Sequence, residues 1–269
     1  MKINKIRYTV AAALLSALIA GCTTSPTGRS QFIIVSGSQM ATLGAQSFSE
    51  LKKNEKVSTD KKTNQYVQCV TDAILEVTPP QPDFDKWEVV VFDSDQVNAF
   101  ALPGGKIGVY TGLLKVARTQ DQLASVIGHE IGHVMANHGS ERVSSQVAAN
   151  SALQVTSIAL GASGTADADL IMAGLGLGVN VGVLLPFSRT HESESDLIGV
   201  QLMNEAGFDP NQSVALWRNM AKASDGAPPE ILSTHPSHDT RISDLQTAIN
   251  ELPPQTRKAP NCGSPNLFG

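Results

Sequence analysis

Apolar positions change rhythm along the chain, and each rhythm predicts an element. A helix is expected from Ser38 to Lys52. Tyr66, Val67, Val70, Ile74 and Leu75 recur at helical spacing in a second helix, capped by Thr59 and stopped by Pro79-Pro80. Trp87-Glu-Val-Val-Val-Phe92 reads as a strand, with a turn at Asp93 to Asp95. Asn98 to Gly105 follows, closed by the tight Pro103-Gly104-Gly105 connection, and Lys106-Ile-Gly-Val-Tyr110 is a further strand. Thr119 and Gln122 form a capping box for a helix from Gln120 to His138, ended by Gly139. Two helices are predicted over Glu192 to Glu205, with Gly207 as C-cap, and Pro210 to Ala223, with Asp209 as N-cap. A loop holding Thr234-His-Pro-Ser-His238 leads to a last helix, Asp239 to Leu252. The pattern is that of an α+β chain, mostly helical, with a small antiparallel sheet.

The amino terminus follows another pattern. Lys2, Lys5 and Arg7 precede a run from Tyr8 to Ala20 that is apolar apart from Thr9 and Ser16. About 13 residues are too few to span a bilayer, so residues 1–21 read as a signal peptide. Its end, Ile19-Ala20-Gly21-Cys22, resembles the bacterial lipobox, in which cleavage leaves a lipid-bearing cysteine; the alternative is an ordinary secretory signal that contains a Cys. Thr23 after Cys22 favours sorting to the outer membrane, on its periplasmic face. Residues 22–37, rich in Ser, Thr, Gly and Pro, are expected as a flexible tether, 38–255 as a single domain and 256–269 as a tail. The stretch from Ile171 to Leu185 holds no charge; it suits a buried or lid-like helix better than a membrane span.

Composition narrows the classes. With 269 residues and 17% charged positions the chain has ample length for a core. Its 20 Lys and Arg stand against 25 acids, and three of the cations lie in the leader, so the remainder has a net charge of −8 and no field to hold nucleic acid. A membrane anchor would therefore come from acyl chains on Cys22 rather than from basic residues. Beyond Cys22 the chain has only Cys69 and Cys262, which in an oxidising compartment either pair or remain as two thiols.

His129-Glu-Ile-Gly-His133 lies inside the predicted helix that starts near Thr119. Positions i and i+4 differ by about 40° in azimuth and about 6 Å in rise, so both imidazoles can reach one ion. Glu130 can reach a water on that ion without being a ligand. A catalytic zinc needs a third protein ligand, and Glu192-Ser-Glu-Ser-Asp196 offers Glu192, with Asp196 on the same face to accept a hydrogen bond from His129. Glu194 points about 160° away and is expected to be solvent-facing or structural, making its substitution a control for Glu192. His138 is expected to face away from the metal side as a helix C-terminal residue favoured by the dipole.

These motifs, together with Asn98-Ala-Phe-Ala-Leu-Pro-Gly-Gly105, Ser233-Thr-His-Pro236 and Arg241-Ile, resemble the zinc metalloendopeptidases that include HtpX, BepA and the mitochondrial protease Oma1. The resemblance spans about residues 90 to 245; Ser195, where many relatives have Ala, is a small-for-small departure. It implies a zincin-like, gluzincin core with one Zn2+ per chain, held by His129, His133 and Glu192, and Glu130 as general base. It implies an edge strand at Asn98 and Ala99 that binds a polypeptide substrate as an added strand. His235 would either stabilise the oxyanion or fill the fourth metal position reversibly, and Arg241 would anchor its loop. His191 and His238 are expected to be loop histidines without a role. The expected function is cleavage of unfolded or misassembled envelope proteins beside other envelope proteases or assembly factors. One rival is a periplasmic chaperone or assembly lipoprotein with a structural zinc; another is a zinc hydrolase of cell-wall peptides.

Overall fold

The computed structural model describes residues 22–159, 187–222, 230–236 and 240–265. The leader, the uncharged stretch 171–185 and His238 lie outside these. Among the described residues no helix is long and apolar enough to cross a membrane.

The chain runs β1 (Cys22–Thr24), β2 (Ser30–Phe32), α1 (Gly37–Asn54), α2 (Lys61–Leu75), β3 (Glu88–Phe92), β4 (Ala99–Leu102) and β5 (Lys106–Tyr110). A 3-10 turn, Thr111–Lys115, leads to α3 (Gln120–Met135), α4 (His138–Ala159), α5 (Arg189–Ala206), α6 (Asn211–Lys222), α7 (Glu230–Thr234) and α8 (Arg241–Asn250). The helix N-cap at the start of α2 is Asp60 rather than Thr59, with its carboxylate accepting from the Thr63 N–H at 2.7 Å. Only half of the expected capping box forms on α3. Thr119 accepts from the Gln122 N–H, while the Gln122 side chain turns back to the Arg118 N–H.

The sheet is mixed, in the order β3-β5-β4, which corrects the antiparallel expectation. β4 runs antiparallel to β5, but β3 pairs with β5 in parallel, Val89 opposite Ile107. The reason lies at the strand ends. Ser94 bonds to both Thr111 and Gly112, which pins the exits of β3 and β5 side by side and leaves β4 as an edge. Both faces of the sheet are covered, so its strands need not alternate polar with apolar. Val91, Ala99, Ile107 and Val109 join the main core with α2, α3, α5 and α6, whereas Phe92, Phe100, Leu102 and Tyr110 pack on Phe48 of α1.

Residues 22–37 are not a loose tether. β1 and β2 form a hairpin whose polar side chains bond to α3, α4 and α5: Gln31 reaches the Ala136 carbonyl, and Arg29 pairs with Glu141 and Glu194. A Ser- and Thr-rich composition suits a linker, but here those hydroxyls and the guanidinium serve buried acceptors. Residues 256–265 likewise do not hang free. Cys262 is disulfide-bonded to Cys69 of α2, with Cα atoms 5.6 Å apart, and Ala259 donates to the Gly207 carbonyl. Closing a loop of that length is worth on the order of 5 kcal/mol in the chain-entropy account.

α3 ends earlier than expected. Asn137 adopts a left-handed conformation, φ 53°, and its carbonyl accepts from Glu141, so the chain breaks after Met135 and restarts at once in α4. Gly139 therefore sits inside the next helix, not at a C-cap. The packing that matters most is α3 against α5. A Cβ on Gly199 would lie 2.9 Å from the His129 nitrogen, and one on Gly128 would lie 2.9 Å from the Gly199 carbonyl oxygen. Neither neighbour is a side chain that can swing away. Gly199→Ala is accordingly expected to cost about 1–3 kcal/mol or more, which at about 2–4 °C per kcal/mol lowers Tm by several degrees in a thermal melt.

Candidate metal centre

α3 supplies His129, Glu130 and His133, α5 supplies Glu192 and Asp196, and the end of α7 supplies His235. Four of these, His129, His133, Glu192 and His235, are buried and offer donor atoms that all lie within 4.8 Å of one another. His129 Nε2 is 3.1 Å from His133 Nε2 and 3.2 Å from His235 Nδ1. Glu192 places its oxygens 3.4 Å from Nε2 of His129 and of His133 and 3.0 Å from His235 Nδ1. Ligands held 2.0 to 2.1 Å from a tetrahedral zinc stand roughly 3.3 Å apart, so three imidazoles and one carboxylate at these separations fit that ion. Such a gathering of lone pairs is unfavourable without a cation between them.

Asp196 accepts from His129 Nδ1 at 2.9 Å, which fixes the ring with Nε2 toward the cluster. Arg241, buried and lying over the Trp217 ring at 3.5 Å, donates to Glu192 at 2.8 Å and Asp196 at 2.7 Å. It thus anchors the two carboxylates. His235 is placed by the backbone, with its N–H on the Ile231 carbonyl and the Ile231 N–H on that of Val97.

Charge follows from this packing. Burial pushes Glu192 up, but His235 and His129 outweigh it and hold the carboxyl well below the usual range. Burial lowers His129, yet Asp196 and Glu192 outweigh it and raise it to about 9. Glu130 is different: burial is the largest single influence on all three groups, but only here does it prevail over the neighbouring charges, keeping the carboxyl above the ordinary 4.5. Its Oε2 accepts the Ala101 N–H at 3.2 Å, and its Oε1 is 3.3 Å from His235 Nε2.

β4 is an edge strand, as the motif implied. Asn98 is buried, with its carbonyl accepting from the Tyr110 N–H, and Ala99 pairs with Val109. The edge group that reaches Glu130 is neither of these but the Ala101 N–H. A cavity lined by Ala101, Pro103, His133, Val134, Asn137 and Phe187 opens beside the same edge.

Three expectations change. His138 does not point away from the site. The left-handed Asn137 turns the chain so that His138 Nδ1 lies 2.9 Å from His133 Nδ1, and burial pushes its pKa down to about 4. Glu194 is structural, one of its two expected readings, buried and bonded to His138, Ser25, Thr27 and Arg29; what changes is its use as a neutral control. His191 lies in the first turn of α5, stacked on His138 at 4.3 Å and 3.1 Å from Glu141. The sequence signal for His138 was its place five residues beyond His133; Arg241 was marked by the Arg241-Ile motif, and for Arg29 no local signal existed.

Residues 61–249 match the profile of Peptidase family M48. The chain belongs to that family. Its members are zinc metallopeptidases. Within M48, the chain is 37% identical over 191 residues to the mitochondrial metalloendopeptidase OMA1 of Schizosaccharomyces pombe, covering 70% of this chain and 54% of that protein. It is 32% identical over 256 residues to the mitochondrial metalloendopeptidase OMA1 of Bos taurus, 90% of this chain and 48% of the other. Similarity to the beta-barrel assembly-enhancing protease of Escherichia coli is 30% over 169 residues, 61% and 34%. The chain thus spans about half or less of the length of these relatives.

Arg241 gives the sharpest stability test of the centre. Removing it leaves Glu192 and Asp196 buried without their cation, so Arg241→Met is expected to cost about 3–5 kcal/mol. Thermal unfolding and zinc content after gel filtration, measured on the same sample, would both fall.

Proposed function

We propose that the chain is a zinc-dependent endopeptidase of the gluzincin kind, cleaving unfolded or misassembled envelope proteins at the periplasmic face of the outer membrane. The observation that carries the reading is the convergence of His129, His133 and Glu192 at zinc-ligand spacing, with Glu130 beside them, in an M48 chain. The relative named for β-barrel assembly, the leader ending at Cys22 and a disulfide suited to an oxidising compartment support the location. Acyl chains on Cys22 would hold it there. Polypeptide substrates and neighbouring envelope proteases or assembly factors would be its partners.

In this reading His129, His133 and Glu192 hold the ion. Zinc, when bound, polarises the scissile carbonyl and brings the pKa of water down to about 7. Glu130 takes the proton of the attacking water and returns it to the leaving amine; its raised proton affinity suits both steps. Substrate backbone adds to β4, where main-chain hydrogen bonds tolerate many sequences and the cavity beside Ala101 takes a side chain. His235, with Nδ1 in the cluster and Nε2 toward Glu130, would be a reversible fourth residue holding the ion.

The same closed donor set favours the second reading, since four protein ligands mark structural zinc. Two variants separate them. Glu130→Gln is expected to keep one zinc per chain and to cleave an unfolded protein such as reduced casein at least about 100-fold more slowly. His235→Ala is expected to keep zinc and cleave as fast as the native chain or faster. One zinc in the native chain and in His235→Ala, with cleavage by neither, would instead favour a chaperone with a structural ion.

A further inference from the structure

His129 and His133 meet the cluster through the same atom, Nε2, and each must therefore carry its proton on Nδ1. For His129 the reason is direct, because Nδ1 faces the Asp196 carboxylate at 2.9 Å. His133 has no carboxylate on that side. Its Nδ1 faces another imidazole nitrogen, His138 Nδ1, at 2.9 Å, and two such nitrogens can bond only if one donates and the other accepts.

What decides the direction lies one bond further on. His138 Nε2 is 3.0 Å from Glu194 Oε2. That oxygen also accepts from Arg29 Nε at 2.8 Å, while Glu194 Oε1 accepts from the hydroxyls of Ser25 and Thr27. A carboxylate so supplied with donors is an anion and an acceptor only, so His138 carries its proton on Nε2. Its Nδ1 is then the acceptor, which Ser195 Oγ at 3.3 Å also addresses. His133 is left as the donor, and its Nε2 lone pair faces the cluster.

We infer that Glu194, held by Ser25, Thr27 and Arg29 of the β1–β2 hairpin, sets the tautomer of His133 through His138, so that the hairpin is a positioning element of the metal site. Arg29, Glu194 and His138 contribute no atom to the donor cluster; they act through His133. Three of the four side chains that donate to Glu194 come from residues 25–29, ahead of the segment 61–249 that the family profile matches. Arg29 also clamps Glu141 of α4 at 2.7 Å, locking the hairpin against the helix that His138 begins.

The inference rests on His133 being a zinc ligand, and its test separates the two. Long-range 1H–15N correlation on the metal-free full chain with 15N-labelled histidine reads each ring directly. The expected result is His133 protonated on Nδ1 and His138 on Nε2; His133 protonated on Nε2 would overturn the inference whatever zinc does. Zinc affinity by chelator competition is the second readout. Arg29→Ala and His138→Leu are expected to raise the dissociation constant about 10- to 100-fold. His138→Gln, which can accept from His133 and donate to Glu194, should restore most of it. Equal affinity in all four proteins, or loss in His138→Gln as deep as in His138→Leu, would leave these residues with a merely structural role. Absence of zinc binding by the native chain would defeat the proposed function, while the tautomers of the metal-free protein would still be read.

Discussion

Two helices can bring a pair of imidazoles and a carboxylate to the same point only if their backbones come close, and closeness is what α3 and α5 achieve. Gly128 faces Gly199 with no room for a Cβ on either, and Gly132 faces Ser195, where a Cβ would lie a tight 3.0 Å from the Ser195 carbonyl oxygen. Any Cβ at 128 or 199 would push against backbone, which cannot rotate aside. The apolar positions of both helices, Leu123, Ile127 and Ile131 on one and Ile198 and Leu202 on the other, bury themselves in the main core and hold the pair together. The site is thus a by-product of one tight helix crossing, and small residues are required there for shape.

Close approach concentrates charge as well as ligands. Glu192 and Asp196 are both buried, and a single guanidinium, Arg241, bonds to each from α8. On the far side of His133 a second buried group, Glu194, takes its cation from Arg29 of the amino-terminal hairpin. Each half of the centre is therefore neutralised by an arginine distant in sequence. Isolated buried carboxylates would take up protons instead, as the raised proton affinity of Glu130 illustrates. The hairpin bonds to Glu194 and the last helix to Glu192 and Asp196, so both meet the same stretch of α5.

Local rules carried much of this. The period of Tyr66, Val67, Val70 and Ile74 predicts α2, HExxH spacing names His129 and His133, and an i, i+4 pair names Glu192 and Asp196, because each depends on neighbours within a few residues. Gly207 marks the end of α5 for a similar reason: with φ 84° it meets the left-handed conformation that a side chain resists. What was not legible depends on distant partners. The parallel pairing of β3 with β5 follows from Ser94 meeting Thr111. The ordered hairpin follows from Glu141 and Glu194, more than a hundred residues away, and composition alone made that segment look like a linker. His138 was misplaced because α3 was extended through Asn137, whose positive φ no sequence rule required.

The centre itself is open to direct view. Zinc-edge X-ray absorption and an anomalous difference map on crystals of the zinc-loaded chain would locate the ion and its ligands together. One zinc is expected, with His129 Nε2, His133 Nε2 and a Glu192 oxygen within about 2.0 to 2.2 Å. An ion bound elsewhere, or a coordination shell without Glu192, would contradict that arrangement.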